Sequence, residues 1–279
     1  MTDNTISERS MLAVLPVLAN RPSRVAQFRG LIRLEVMLAR RLAPLRLVMA
    51  FVPIVMMVFL AEAMRFLIEI DGYPRSNGTE HGIPGLAVLF CYVNLPFLCW
   101  SAYDEHGFGT WDRLRSSFVA PPLILSAKVA FMSAYLMFMF VVSYIGGLIL
   151  GMEPNGSTIG WFLIALVTSV VASMYGLMLY VLLPTGNLFI IASHAGCLVM
   201  GGFAGALVPF RLLPEWVQQI APLLPQYWSI RAFREVSLDG RDLRSIATEL
   251  LVLCCFGLAF GAIAAWRFDP SALKRPLSE

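Results

Sequence analysis

Six runs of about twenty apolar residues, near 47–68, 83–103, 129–150, 159–182, 188–209 and 246–266, dominate this chain. A helix of about 20 residues crosses a hydrocarbon core of about 30 Å. Inside that core no water satisfies open backbone groups, so spanning segments must be helices or closed barrels, and runs of this length specify helices. The predicted fold class is therefore all-α: a polytopic membrane protein with six transmembrane helices. Composition points the same way, with 58% hydrophobic and only 14% charged residues, against about 25% charged in soluble domains. A nucleic-acid-binding surface is excluded by the same scarcity of charge.

Orientation follows from the positive charge. Eight of the 19 arginines precede Leu47, which predicts a cytoplasmic N-terminus. An even number of spans then returns the C-terminus to the cytoplasm. Segments assigned to the inside hold 14 of the 21 Lys and Arg. The last outer segment breaks the rule, because Arg211, Arg231, Arg234, Arg241 and Arg244 all fall there. The stretch Met11–Asn20 is short, carries Pro16 and runs into Arg21. It reads as part of a flexible tail over 1–23 rather than a cleaved signal. Residues 267–279 form a second tail. The five cysteines lie in apolar runs without C-x-x-C spacing and read as small buried hydrophobes.

Two further segments are predicted to be structured. Over 24–42, Arg29, Arg33 and Arg40 share one helical face and Phe28, Leu31, Leu34, Leu38 and Leu42 the opposite one. This is the pattern of a helix lying among anionic headgroups. Over 210–240, Pro214, Pro222 and Pro225 divide the chain into short helices, and Trp216, Tyr227 and Trp228 are interfacial residue types. These are predicted to dip into the outer leaflet and return, re-entrant fashion, before the last span.

The most charged internal segment, Asp104–Ser117, follows the second span directly. Gly107 and Gly109 break the helix, Thr110 caps a new short one, and Pro121–Pro122 ends it. Trp111, Leu114 and Phe118 recur at helical spacing, so the predicted knob offers an apolar stripe that suits a groove on a partner. Lys128 marks the inner boundary of the third span. Within the spans, Glu62 and Arg65 are three apart and able to pair, either as a local ion pair or as part of a substrate path. Asn94 and Pro96 mark a kink with its hydrogen bond. Gly201 and Gly205 form a small-xxx-small pair for close helix packing. His194 reads as a packing residue or as a proton relay.

Phosphate-binding chemistry is missing. A P-loop needs Gly-Lys-Ser/Thr, and the two lysines, Lys128 and Lys274, follow Ala127 and Leu273. A nucleotide used by this protein must therefore be hydrolysed by another subunit, and this chain binds no cofactor of its own. His81, His106 and His194 are scattered, with no H-E-x-x-H or G-x-S-x-G motif. The alternative is a membrane-embedded lipid-modifying enzyme, whose candidate carboxylates are Asp104, Glu105 and Asp112. A proton-coupled carrier lacks the buried carboxylate series and internal repeat it would need.

Glu105, Gly109–Thr110 and Leu114, followed by prolines and Lys128, resemble the E-x-x-x-G-T-x-x-x-L…P…K signature of type 2 ABC exporter permeases. The glycine-rich fifth span, the P-x-x-x-L-P-x-W loop from Pro209 to Trp216, and the proline-led helix before the last span are similar to the same family. The resemblance covers 24–266. It departs at His106, where the family usually carries Arg, and Trp111 resembles the drug- and antibiotic-export branch. It implies a cell-membrane permease paired with a second copy or paralogue and resting on ABC ATPase subunits that bind ATP and Mg. Coupling would fall to Glu105, Gly109, Thr110, Trp111, Asp112 and Leu114. The interfacial helix with Arg29, Arg33 and Arg40 on its polar face would brace against the same ATPase. Pro209, Pro214, Trp216 and Tyr227 would form an outer gate for an exported substrate that the sequence does not identify.

Overall fold

The structure, a computed structural model, describes residues 23–107, 109–116, 119–269, 272 and 274–275, with the side chains of 98–101, 104 and 115 outside the description. Phe118 and the N-terminal tail before Ser23 lie outside it as well. All regular elements among the described residues are helices. The first, α1 (Arg24–Arg41), starts where the Ser23 hydroxyl accepts a hydrogen bond from the Ala26 amide at 3.2 Å. A single linking residue leads into α2 (Ala43–Ile70), with Pro44 in its first turn.

The second predicted span is not one helix. It is divided into α3 (Thr79–Val93) and α4 (Pro96–Gly107). Pro96 has no amide hydrogen for the ladder, so the helix closes at Asn94 and restarts. The short α5 (Thr110–Ser116) follows, after Gly109 at φ +64°. Pro121 and Pro122 do not end the knob as predicted. They form the first turn of α6 (Pro121–Ile149), where two missing amide hydrogens cost nothing. Lys128 thus lies two turns inside α6 rather than at its start.

Helices α7 (Thr158–Leu182) and α8 (Gly186–Ala204) are capped by the Ser157 and Thr185 hydroxyls, at 3.2 and 3.3 Å. Gly205, predicted as half of a packing pair, instead ends α8 at φ +84°, a left-handed cap with the Ala206 amide on the Gly201 carbonyl at 3.1 Å. Two 3-10 turns, at Phe210–Leu212 and Ala221–Leu223, flank α9 (Glu215–Ile220). Then come α10 (Pro225–Ser237) and α11 (Ala247–Arg267).

Among the described residues five helices, α2, α6, α7, α8 and α11, are long and apolar enough to cross a membrane. Helix α3 packs among α2, α6, α8 and α10, and its residues from Thr79 to Leu89 are all buried. An aromatic stack fastens α10 to the bundle: Phe233 lies 5.7 Å from Phe140 of α6 and 4.9 Å from Trp161 of α7, ring to ring. Outward faces are apolar, with Phe59 of α2 81% and Leu258 of α11 75% exposed. Such surfaces suit lipid. Loops collect at two ends: one holds α1, α5 and the chain's last described residues, and the other holds α9 and α10.

Candidate functional site

At the α1/α5 end, one lysine joins three helices. Lys128 Nζ of α6 lies 2.7 Å from Glu35 Oε1 of α1 and 2.8 Å from Glu105 Oε1 of α4, with all three side chains no more than 7% exposed. Glu105 Oε2 has no hydrogen-bond partner among the described residues. Glu105 stands past the apolar run that ends at Tyr103. Burial pushes its carboxyl up from the usual range, and Lys128 only partly offsets this. Glu35 was not singled out from the sequence, although a carboxylate four residues after Leu31 on the apolar side of α1 was a visible signal.

The knob is tied down beside this triad. Thr110 does not cap α5; its hydroxyl donates to the Glu105 carbonyl at 3.2 Å and so satisfies the end of α4. Trp111 is 3% exposed and packs with Leu31, Ile124 and Ala127, with Leu114 half-buried against the same cluster. The predicted stripe is therefore turned inward: α1 and α6 fill the groove that a partner was expected to supply. Gly109, Thr110, Asp112 and Arg113 form the exposed face instead.

His106, where the signature has Arg, also faces inward. Its Nε2 is 2.9 Å from the Tyr180 hydroxyl of α7, and its ring centre is 4.9 Å from that of Trp111. Lys274 closes this region by donating to the carbonyls of Val181 and Leu183 at 2.9 and 2.8 Å, where α7 leaves its own carbonyls open. On α1, Arg29, Arg33 and Arg40 are exposed.

The break between α3 and α4 is a polar node. Asn94 Nδ2 donates to the Phe90 carbonyl at 2.7 Å, and its Oδ1 accepts from the Tyr135 hydroxyl of α6 at 2.9 Å. Arg46 of α2 donates to the Phe97 carbonyl at 3.3 Å, and its guanidinium lies 5.4 to 5.8 Å from the ring centres of Phe131, Phe97 and Tyr135. The Leu95 and Phe97 amides at the break bond the Tyr92 and Asn94 carbonyls at 3.2 and 3.0 Å, and side chains of α2 and α6 brace the node from outside, which is how broken helices survive at membrane depth.

The opposite end gathers the arginines that broke the charge rule. Arg234 of α10 pairs with Asp71. Arg231 lies 3.1 Å from Glu249 and 3.5 Å from Glu235, and Arg241 lies 3.6 Å from Glu235. These three arginines carry their own counter-ions, which explains how they occupy an outer segment. Burial and the Glu249 carboxylate push the Glu235 carboxyl upward. The four proposed gate residues are not one cluster. Pro209 is buried, and buried Tyr227 rests on Phe210 with ring centres 4.8 Å apart. Trp216, 56% exposed, stands edge-on to Phe203 across from them, with exposed Pro214 just before it.

Other sequence candidates are dispersed. Glu62 and Arg65 are both exposed and do not pair among the described residues. His194 is exposed on α8 and stands outside the core of the described residues. Cys91 and Cys197 are buried as expected, but Cys254 and Cys255 face outward from α11. Of the lipid-enzyme carboxylates, Glu105 is held by Lys128 while Asp112 is exposed, so these two do not form the facing pair that general acid–base chemistry needs.

A bundle of long apolar helices with a short helix clamped at one end defines a polytopic membrane protein. The family model of ABC-2 type transporters matches residues 26–238, and the chain belongs to that family. It is also similar to the linearmycin resistance permease protein LnrN of Bacillus subtilis (strain 168), 26% identical over 203 residues. That alignment takes in 68% of this chain and 48% of the relative, so the matched part spans about half the relative's length.

Proposed function

We propose that this chain is the permease half of an ATP-driven exporter, moved by a separate ATPase subunit that grips the exposed face of α5. The carrying observation is mechanical. The knob is bonded at its base to α1, α4 and α6 through Lys128 and Trp111, while Gly109, Thr110, Asp112 and Arg113 remain outward. A push on that face therefore cannot be absorbed by a slack loop. It passes into α4, which can swing at the Asn94–Leu95 break while α3 stays packed among α2, α6, α8 and α10.

In this reading α3 and α4 together make the second of six spans, both termini are cytoplasmic, and α1 lies among headgroups on the side of the knob. A second copy or paralogue completes the path, and α9 with α10 covers its outer mouth. The partner ATPase binds ATP and Mg; this chain supplies the path and the lever. The similarity to a linearmycin resistance permease supports an antibiotic as the exported substrate.

The test is purification of the tagged chain from native membranes in mild detergent, with mass spectrometry of what accompanies it. A stoichiometric P-loop ATPase is expected, lost in Arg113→Glu, a change on the exposed face of α5, without a change in melting temperature. If that variant keeps both its ATPase and its transport, the grip on α5 is wrong. If the wild-type chain purifies alone and remains active, so is the exporter reading.

A further inference from the structure

At the end away from the knob, a cavity of about 280 Å³ opens between α3, α10 and the turn after α8. That volume is about nine waters at ~30 Å³ each, enough for a small organic group and too much for a bare ion. Its chemistry is divided between floor and rim.

The floor is His81, in the first turn of α3 before the apolar run that begins at Ile83. It is 2% exposed, and its Nε2 has no hydrogen-bond partner among the described residues. Burial, with the Arg234 charge close by, lowers the imidazole pKa to about 4, so the ring is neutral. A neutral imidazole keeps a lone pair on one nitrogen, and with the proton on Nδ1 that acceptor is the unpartnered Nε2. What reaches the floor must therefore bring a hydrogen, and a hydroxyl does so.

The rim is positive. Arg231 and Arg241 have side chains 45% and 54% exposed; Arg231 lies 3.1 Å from Glu249 and 3.5 Å from Glu235, and Arg241 lies 3.6 Å from Glu235. The two Glu235 separations are long for charge-assisted hydrogen bonds, which run nearer 2.8 Å, so Arg241 in particular can turn to an anion. Arg211 is exposed and makes no ion pair among the described residues. Four arginines line the cavity against Glu235 and Asp239, and Tyr227 and Ile230 give it an apolar wall. Planar guanidinium groups in this number suit phosphate or carboxylate oxygens.

We propose that this cavity binds an oxyanion carrying a neighbouring hydroxyl, with the anion on Arg211, Arg231 and Arg241 and the hydroxyl on His81. Glycerol phosphate is the simplest such group, and it has two sources: the headgroup of an anionic phosphatidylglycerol lipid, or a soluble molecule. The inference does not depend on the exporter reading, since it needs no ATPase.

The test uses the full chain in phosphatidylcholine nanodiscs. Calorimetric titration compares glycerol 3-phosphate with methyl phosphate, which has no hydroxyl, and native mass spectrometry reads phosphatidylglycerol retained from mixed-lipid detergent micelles. Glycerol 3-phosphate should bind more tightly than methyl phosphate by about fivefold, one hydrogen bond's worth. Arg211→Ala/Arg241→Ala, both surface changes, should weaken whichever probe binds by about tenfold or more. His81→Phe should erase the difference between the two phosphates. Should that variant fail to fold, His81→Asn is read in the same way. Saturable binding of the soluble probe assigns a soluble ligand; retention of phosphatidylglycerol alone assigns the lipid. No binding of either, or binding indifferent to the two rim arginines, overturns the proposal.

Discussion

Lys128→Met isolates the contribution of the triad at the base of the knob. The substitution keeps volume and apolar stem but leaves Glu35 and Glu105 buried side by side with no cation. Breaking a buried pair by removing one partner costs about 3–5 kcal/mol. Protonation sets an upper bound. Neutralising a carboxyl of ordinary pKa, about 4.3, at pH 7 costs 1.36 kcal/mol per unit, or about 3.7 kcal/mol each. The loss should thus fall between about 3 and 7 kcal/mol. Glu105→Gln is milder, because Lys128 keeps Glu35, and one charged hydrogen bond accounts for about 1.5–3 kcal/mol.

Tryptophan fluorescence during heating, in nanodiscs, reads the difference. At about 2–4 °C per kcal/mol for chains of 150–250 residues, Lys128→Met should melt at least ~6 °C below wild type. Glu35→Gln/Glu105→Gln added to Lys128→Met should recover much of the loss, since no buried charge remains. The pH dependence has a definite sign. Stranded carboxyls have raised pKa values, so the folded state holds more protons than the unfolded one, and stability falls as pH rises above about 4.3. The Lys128→Met deficit should therefore be larger at pH 8 than at pH 5. A Lys128→Met protein that melts no lower than Glu105→Gln would refute the reasoning.

Gly85→Ala should disrupt the α3–α8 contact, because a Cβ there would overlap the Ala206 carbonyl oxygen. Gly30→Ala, with open space around the position, should raise stability by about 0.5–1 kcal/mol; thermal melts of the two compare them directly. Arg234→Met leaves buried Asp71 without its cation and should cost about 3–5 kcal/mol, whereas Arg244→Met, exposed, should leave the melt unchanged. A cysteine at Glu153, exposed between α6 and α7, should react with impermeant maleimide from outside intact cells; reaction only after lysis would invert the topology.

Much of this fold was legible because membrane spans advertise themselves: α7 and α11 begin and end within a residue of their predicted limits. The errors came from residues whose role depends on a neighbour far along the chain. Pro121–Pro122 stops one helix or starts the next with equal local logic, and only the packing of α6 decides. Gly201 and Gly205 share a spacing with packing motifs, but Gly205 serves backbone geometry. Trp111 was read as offered outward because amphipathicity says only that a stripe must be covered, not by what. The triad was the largest omission. Lys128 and Glu105 are 23 residues apart and Glu35 lies 93 from the lysine. No periodicity joins them, yet each is a single charge on an apolar helix face, which is costly unless paired.

Under the proposed drive by a partner ATPase, the break between α3 and α4 and the clamped knob answer the same mechanical requirement. A continuous 29-residue helix from Thr79 to Gly107 would carry any push on α5 straight into the most buried helix of the bundle. The break at Asn94–Leu95 separates a half that is packed on every side, α3, from a half that carries the knob, α4. What holds the break is directional rather than apolar: the Tyr135 hydroxyl on Asn94 and the Arg46 guanidinium on the Phe97 carbonyl. Hydrogen bonds of this kind contribute only about 0.5–3 kcal/mol each, so they define a resting angle without forbidding another. Tyr135→Phe should accordingly leave the melt within about 1.5 kcal/mol of wild type while changing how strongly transport follows ATP hydrolysis. If hydrolysis and transport in that variant keep the wild-type ratio, the hinge lies elsewhere.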